Sequence, residues 1–319
     1  MRIVFFGTGR FGLPTFDSIR GDRHDIALVV TQPDRPRGRN LETTPTIIKQ
    51  AAEEAGLPIF TPEDINAPDA VARIAACKAD LGYVVAYGQK IGPEVRGAFP
   101  AGTVNLHGSL LPAWRGAAPV QWSVINGDDE AGVTVFRLED RMDAGPILTQ
   151  RRTAIGADET ADELHDRLAH IGCDAVRAAL ELLSRDPRTP GTPQDESAAT
   201  RARKLNKADG MIRFDAPAAA LANRMCGLWS WPGANCRFVS HDGKRDERVT
   251  IARAICYEGR GSGGEPGAIS DVMSVAATDG DLMILEIKPA GGRLMAWQDF
   301  VNGRRVQPGD RFVPIEPGE

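Results

Sequence analysis

The chain has 319 residues, 42% of them hydrophobic and 25% charged, with a formal net charge of −5. This length suits two domains, and the composition is that of a folded globular protein rather than a disordered chain. The acidic balance argues against a broad nucleic-acid-binding surface but leaves a local basic patch open, and no apolar run is long enough to predict a membrane helix.

Cysteine and histidine spacing predicts neither a metal site nor a disulfide framework. The five cysteines include no Cys-x-x-Cys pair, and the five histidines show no metal-ligand spacing. The N-terminus runs directly into an apolar, strand-like segment without the pattern of a secretion signal. We therefore expect reduced thiols, no metal and a cytoplasmic location.

The first 150 residues alternate short apolar runs with helical patterns. This alternation predicts an α/β fold with a doubly wound, mostly parallel sheet, which binds ligands beyond the carboxyl ends of its strands. The predicted strands are Ile3–Phe6, Ile26–Thr31, Leu81–Ala86, Thr103–Leu106 and Gly132–Leu138. The predicted helices are Pro14–Arg20, Thr44–Ala55, Pro68–Cys77, Ala117–Ile125 and, closing the domain, Ala161–Leu183.

The last third of the chain has a different pattern. Three prolines among polar residues make Ser184–Ser197 an extended linker, and a short helix is predicted over Ala216–Arg224. Short strands separated by Gly and Asp turns then predict a small β-barrel-like domain. These strands are Ala234–Val239, Val249–Ile255, Val272–Ala277, Leu282–Ile287 and Arg311–Val313.

A glycine-rich turn follows the first predicted strand. Gly7-Thr8-Gly9-Arg10-Phe11-Gly12 fits G-x-G-x-x-G, and Asp34 follows at about the distance of the dinucleotide fingerprint. However, Asp34 lies beyond the end of the second strand, and Pro14 falls in the first helical turn. Glycines that allow a tight strand-to-helix turn are the favoured interpretation, with a nicotinamide-dependent oxidoreductase as the alternative.

Polar side chains at the end of the fourth predicted strand give the strongest chemical signal. Asn105 and His107 are two residues apart, so alternation places both side chains on one side of the sheet. An amide and an imidazole that converge there can donate hydrogen bonds to a developing oxyanion. Two residues that satisfy buried backbone groups at a strand end are an equally weighted alternative.

Asp143 follows the next predicted strand after a short acidic turn. A carboxylate near His107 would favour the imidazolium and orient the ring. Alone, Asp143 is better explained as an ordinary turn residue, because Asp-x-Gly is common turn chemistry. Between these positions, Arg115 is a candidate clamp for an anionic group.

Two basic clusters could contact phosphates. Arg35, Arg37 and Arg39 lie in one Pro/Gly loop, and Lys204 and Lys207 lie at the end of the linker. A solvated surface loop explains the first cluster equally well.

Residues 105–112 together with Asp143 resemble the folate-dependent formyltransferases. The Asn, His and Asp set of that family and its Ser-Leu-Leu-Pro motif (109–112) are both present. Gln32-Pro-Asp-Arg-Pro36, 108–121, Lys204-Leu-Asn-Lys207, Pro289-Ala-Gly291 and Asp299-Phe-Val-Asn-Gly303 are similar to its methionyl-tRNA branch. The chain departs from the family at Gly9-Arg10, at Gly292-Arg293, and in a near-neutral region 207–319 with 14 basic and 15 acidic residues.

The resemblance implies a Rossmann-like catalytic domain over 1–186, a linker over 187–206 and an OB-like tRNA-binding domain over 207–319. It implies formyl transfer from 10-formyltetrahydrofolate to the α-amine of initiator methionyl-tRNA by a monomer. Asn105, His107 and Asp143 would be catalytic, and Arg39 would correspond to the arginine that contacts the acceptor stem. The implied folate-binding residues are Val85, Ala86, Tyr87, Gly88, Gln89, Ser109, Leu110, Leu111 and Pro112.

Other functions stay open from sequence alone. One is a formyltransferase acting on a small amine, such as an amino-sugar nucleotide or glycinamide ribotide, or a formyl-folate hydrolase. The near-neutral C-terminal region favours this class, and the 32–36 loop opposes it. A weaker one is a non-catalytic nucleic-acid module, which gives Asn105 and His107 no role.

Overall fold

The computed structural model describes residues 1–37, 42–257 and 261–316. The chain forms two compact units, and each contains more than one segment of sequence. The first comprises Met1–Pro119, Gly132–Thr153 and His165–Ala202; the second comprises Val120–Ala131, Ala154–Leu164 and the residues from Arg203 onward. The predicted domain boundaries at 186 and 207 remain a prediction.

Residues 1–202 contain eleven of the described strands and six of the described α-helices. The strands are β1 Arg2–Gly7, β2 Asp25–Val30, β3 Arg35–Arg37, β4 Glu42–Thr44, β5 Ile59–Phe60, β6 Leu81–Val85, β7 Thr103–His107, β8 Arg115–Gly116, β9 Glu130–Arg137, β10 Ile147–Ala154 and β11 Arg201–Ala202. The helices are α1 Leu13–Arg20, α2 Ile47–Glu54, α3 Pro68–Ala76, α4 Pro93–Arg96, α5 Pro119–Asn126 and α6 Ala161–Arg185.

Seven of these strands form the main sheet, in the order β10-β9-β7-β6-β1-β2-β5. The five strands from β7 to β5 are parallel, and β9 runs antiparallel to β7. Central strands are apolar throughout because side chains pack on both faces: Phe5 contacts Phe16 on one face, and Phe6 contacts Phe99 on the other. The predicted doubly wound, mostly parallel sheet is confirmed.

The C-terminal residues form a nearly closed, antiparallel, barrel-like sheet. Its strands are β12 Ala234–Val239, β13 Asp246–Cys256, β14 Val275–Ala276, β15 Asp281–Pro289, β16 Met295–Ala296 and β17 Arg311–Val313, accompanied by α7 Ala218–Leu228 and α8 Trp297–Arg304. The order is β14-β15-β13-β12-β17, with β16 on β15. Bridges from Ala268 to Arg311 and from Ile269 to Val275 connect the two edges. This confirms the predicted small barrel.

Two predicted boundaries differ from the observed ones for local reasons. The helix predicted from Thr44 begins at Ile47, because Thr46 caps it by accepting a hydrogen bond from the Lys49 amide. The strand predicted over Val272–Ala277 contains only Val275–Ala276. The turn before it is held by a hydrogen bond between the Ser270 and Ser274 hydroxyls.

Candidate active site

Strand β7 places Asn105 and His107 at the carboxyl end of the parallel part of the main sheet. The strand lies between β6 and β9, where Asn105 is in register with Val84 and Phe136. The side chains of Asn105 and His107 lie on the same face because they are two residues apart on one strand. Asn105 is half-buried, and the His107 side chain is 7% exposed.

The His107 ring is oriented by a hydrogen bond from Nε2. Its Nε2 lies 2.9 Å from the carbonyl oxygen of Trp114. Because a carbonyl can only accept, Nε2 carries the proton and donates it to this oxygen. The other ring nitrogen, Nδ1, lies 4.0 Å from Asp143 Oδ2.

Asp143 meets His107 across the loop that follows β9. Its side chain is 13% exposed, and its Oδ2 accepts a hydrogen bond of 2.9 Å from the Gly116 amide. Its backbone is left-handed, with φ of 53°. The separation of 4.0 Å between Nδ1 and Oδ2 exceeds a direct hydrogen bond, and it leaves charge–charge attraction or one bridging water as the ways in which these two groups can interact. The structure therefore brings all three predicted catalytic residues to one end of the sheet.

The two segments implied in folate binding lie at the ends of neighbouring strands. Residues 85–89 follow β6, with Ala86 and Gly88 at φ of 44° and 93°, and the Tyr87 carbonyl accepts a hydrogen bond from the Thr8 hydroxyl. The Gln89 side chain is engaged with the backbone of Pro62, Glu63 and Ile65. Residue 89 can therefore offer a ligand its backbone rather than its amide.

Residues 109–112 follow β7 and are held by β9 and β10. The Thr134 hydroxyl donates to the Ser109 carbonyl at 2.7 Å and accepts from the Leu111 amide at 3.1 Å. The Gln150 side chain donates to the Leu111 carbonyl at 2.8 Å. The leucine side chains thus project from a fixed backbone that ends in a cis Leu111–Pro112 bond.

The glycine-rich turn after β1 serves packing. A Cβ at Gly12 would lie 2.7 Å from Val85 Cγ1, so α1 approaches β6 closely only with glycine there. The Asp34 carboxylate, which a dinucleotide ribose would need, pairs with Lys49 Nζ at 2.5 Å. This geometry disfavours the nicotinamide-dependent alternative.

The predicted basic contacts are only partly described. Arg35 is exposed at the start of β3, which ends at Arg37 and pairs antiparallel with β4. Arg39 lies outside the described residues. Lys204 and Lys207 are both exposed at the start of the second unit's main segment.

Sequence analysis misinterpreted one residue next to the site, Arg115, and missed two others, Gln194 and Glu196. The Arg115 side chain is 10% exposed and binds Gln194 and Glu196 instead of presenting a clamp to an external anion. Gln194 and Glu196 belong to the predicted linker, and their polar, proline-rich context carries no signal for a role in the site.

The described residues offer neither a metal site nor a membrane helix. Within 1–37, 42–257 and 261–316, no group of three or more His, Cys, Asp or Glu could hold a metal ion. No helix in the same ranges has the length and apolar character needed to cross a bilayer.

Comparison with known proteins gives matches along nearly the whole chain. Residues 1–180 match the family model described as formyl transferase, and 204–305 match formyl transferase, C-terminal domain. The methionyl-tRNA formyltransferase of Methylobacterium sp. (strain 4-46) is 40% identical over 314 residues, covering 98% of this chain and 99% of the relative. That of Halorhodospira halophila is 41% identical over 310 residues, covering 97% and 98%.

Solved structures share the fold at low sequence identity. The N-formyltransferase from Helicobacter canadensis, in complex with folinic acid and dTDP-3-aminofucose, has a TM-score of 0.63 and 12% identity. The match covers 88% of this chain and 98% of that one. At this identity the likeness concerns architecture alone.

Proposed function

Because this chain belongs to the methionyl-tRNA formyltransferase family, we propose that the site on β7 transfers a formyl group from 10-formyltetrahydrofolate to the α-amine of initiator methionyl-tRNA. The observation that carries the assignment of this site is the distance of 4.0 Å between His107 Nδ1 and Asp143 Oδ2. His107 lies two residues after Asn105 on the same strand.

The chemistry requires one oxyanion and two proton movements. The neutral α-amine attacks the formyl carbon, and the carbonyl electrons move onto oxygen. The oxyanion then collapses, the bond from carbon to N10 of the folate breaks, and N10 leaves with a proton while the new amide nitrogen loses one. Asn105 and protonated His107 donate hydrogen bonds to the oxyanion. Asp143 stabilises the imidazolium and relays the proton through water.

The ring atom available for this task follows from the hydrogen bonds. His107 Nε2 is committed to the Trp114 carbonyl, so Nδ1, the nitrogen nearer Asp143, is the ring atom left to donate to the oxyanion. When the ring is protonated, Nδ1–H is a charged donor, which is roughly twice as strong as a neutral one.

A reduced folate donor is supported by the family and by the two segments at the strand ends. We propose that the pterin contacts the backbone of residues 85–89 and the segment Ser109–Pro112. The folinic acid in the Helicobacter canadensis N-formyltransferase supports the same class of ligand on this architecture.

Recognition of tRNA is proposed to use Arg35, Arg37, Arg39, Lys204 and Lys207, with the protein acting as a monomer.

Arg39→Ala should raise the Michaelis constant for methionyl-tRNA about 10-fold and leave that for folate within about 2-fold, because one arginine–phosphate or arginine–base contact is worth about 1–3 kcal/mol. Equal effects on both substrates would indicate a folding defect instead.

Formylation of methionyl-tRNA by the purified protein tests the function directly. Asn105→Ala, His107→Ala and Asp143→Ala should each lower kcat by about 10²- to 10³-fold, since each removes one element of oxyanion stabilisation. His170→Ala is the matched control, because His170 is exposed on α6 and its ring bonds to the Asp166 backbone carbonyl. Near-normal single-turnover formylation by His107→Ala would defeat the assignment.

A further inference from the structure

Residues 194–202, here called the 194–202 segment, belong to the first compact unit although the sequence predicts a linker there. They lie between the two regions that match family models, because the first region ends at residue 180 and the second begins at residue 204. In the structure they contact the two loops that hold His107 and Asp143.

Gln194 connects Asp143 to Arg115 through both ends of its amide. Its Nε2 donates to the backbone carbonyl of Asp143 at 2.9 Å and to that of Gly145 at 2.8 Å. Its Oε1 accepts from Arg115 Nη2 at 2.7 Å and from Nε at 3.1 Å. Donor and acceptor ends are therefore both fully used, which fixes the orientation of the amide.

Arg115 is in turn held by Glu196. The guanidinium donates to Glu196 Oε1 and Oε2 at 3.0 and 3.1 Å, a bidentate geometry, and Arg141 donates to the same carboxylate at 2.6 Å. Hydrogen bonds from Arg115, and then from Arg141, lower the pKa of Glu196 to about 2. The carboxylate is thus charged at every pH at which the enzyme would work.

The backbone of the same segment fixes the loop that contacts both catalytic side chains. Strand β11 pairs in parallel with β8, the Arg115 amide donates to the Thr200 carbonyl at 2.9 Å, and the Trp114 amide donates to the Thr200 hydroxyl at 2.8 Å. Within this loop, the Trp114 carbonyl orients His107 and the Gly116 amide binds the Asp143 carboxylate.

We propose that Gln194 is a positioning residue for formyl transfer, which acts by holding the backbone of Asp143 so that its carboxylate meets His107. The backbone of Asp143 is in the left-handed region, which residues with a side chain adopt uncommonly, and the two hydrogen bonds from Gln194 hold this turn. The inference rests on the proposed function, since it assigns Gln194 a part in that reaction.

Two substitutions test the role. Gln194→Leu removes all four hydrogen bonds at similar volume, whereas Gln194→Glu keeps an acceptor for Arg115 and loses only the donor to the two carbonyls. Each should lower kcat for methionyl-tRNA about 10- to 100-fold, the loss typical of a small misplacement of a catalytic group. Michaelis constants for both substrates should stay within about 3-fold. Gln298→Leu, on α8 with Asn302 as its hydrogen-bond partner, is the matched control.

A double-mutant cycle separates positioning from general damage. Because Gln194 acts through Asp143, adding Gln194→Glu to Asp143→Ala should change single-turnover formylation less than about 3-fold. If the wild type formylates methionyl-tRNA, two outcomes would overturn the positioning role. One is that the rate losses of the two single variants multiply in the double variant, and the other is a kcat for Gln194→Glu within about 2-fold of wild type. A wild type that leaves methionyl-tRNA unformylated would overturn the proposed function, and the positioning role with it.

Discussion

Gly145 closes the turn that carries Asp143, and its missing side chain is essential to that turn. A Cβ at this position would lie 1.8 Å from the Arg137 carbonyl oxygen, which is backbone and cannot move aside. We expect Gly145→Ala to lower the free energy of unfolding by about 1–3 kcal/mol, as overpacking does. It should also lower kcat, because Asp143 lies two residues away. Urea unfolding and steady-state formylation measure the two effects.

Gly303 in α8 is the control for this substitution. Among the described residues, no atom outside its own helical surroundings lies within 4 Å of the place that a Cβ on Gly303 would occupy, and its backbone is helical. Gly303→Ala should raise stability by about 0.5–1 kcal/mol and leave kcat unchanged, because alanine loses less entropy than glycine in a helix. A Gly145→Ala variant as stable as Gly303→Ala would contradict the prediction, because it would show that the turn relieves the crowding at Gly145.

Sequence reasoning could place the side chains of residues that a strand positions, but it could not place Asp143 beside His107 and it missed Gln194. Asn105 and His107 could be placed on one face because strand alternation alone fixes their direction. The approach of Asp143 depends on the path of the loop after β9, and the role of Gln194 depends on a contact 51 residues away in sequence. No local pattern encodes either distance.

Within the second unit, Arg253 on β13 connects the barrel to the start of α6. Its side chain is 19% exposed and binds Glu163 at 2.6 Å and Glu286 at 2.9 Å. We expect Arg253→Met to lower the free energy of unfolding by about 1–2 kcal/mol at neutral pH, because charge-assisted hydrogen bonds are lost. Arg213→Met, which breaks an exposed pair with Asp215, should cost less than about 0.5 kcal/mol.

The contribution of Arg253 should depend on pH. Burial opposes ionisation of Glu163, but hydrogen bonds from Arg253 and Thr160 outweigh it and lower the pKa of the carboxyl below its ordinary 4.5. Because the pKa of Glu163 is lower in the folded than in the unfolded protein, its ionisation contributes its full stabilisation above pH 4.5. This contribution is lost as the pH falls through the pKa of the folded state. Urea unfolding should therefore show a difference between wild type and Arg253→Met that shrinks from about pH 7 to about pH 3. A constant difference would assign the effect to lost packing.

Two of the longer elements that sequence analysis missed, β10 and α8, lack the usual periodicity. Strand β10 includes Thr149-Gln-Arg-Arg-Thr153 and lies at the edge of its sheet, where alternation is not enforced by two buried faces. Helix α8 contains Asn302-Gly303, which is typical of a turn, and is stabilised by Trp297 and Phe300 packing into the barrel with Phe312 and Phe238. Tertiary contacts therefore override local preference in both elements.

Across the whole molecule, the number of basic residues that contact phosphates, rather than the net charge of −5, should set how strongly salt affects tRNA binding. The proposed phosphate contacts of Arg35, Arg37, Arg39, Lys204 and Lys207 would give log Kd against log salt a slope of about 4. Lys207→Ala should reduce this slope by about 1, since one fewer counterion is released. Lys244→Ala, whose ammonium pairs with Asp242 at 3.1 Å, is the control and should leave the slope unchanged. Filter binding at several salt concentrations measures both slopes, and equal changes would indicate a general field effect.

The interleaving of the two units determines how the protein should respond to limited proteolysis. The chain leaves the first unit three times, after Pro119, Thr153 and Ala202. A single nick after Ala202 therefore leaves two stretches of the second unit on the N-terminal fragment. Contacts within that unit then join the two fragments, such as the hydrogen bond of 2.8 Å from Trp122 Nε1 to the Arg203 carbonyl. The cleaved polypeptides should co-elute in gel filtration and separate only in denaturant.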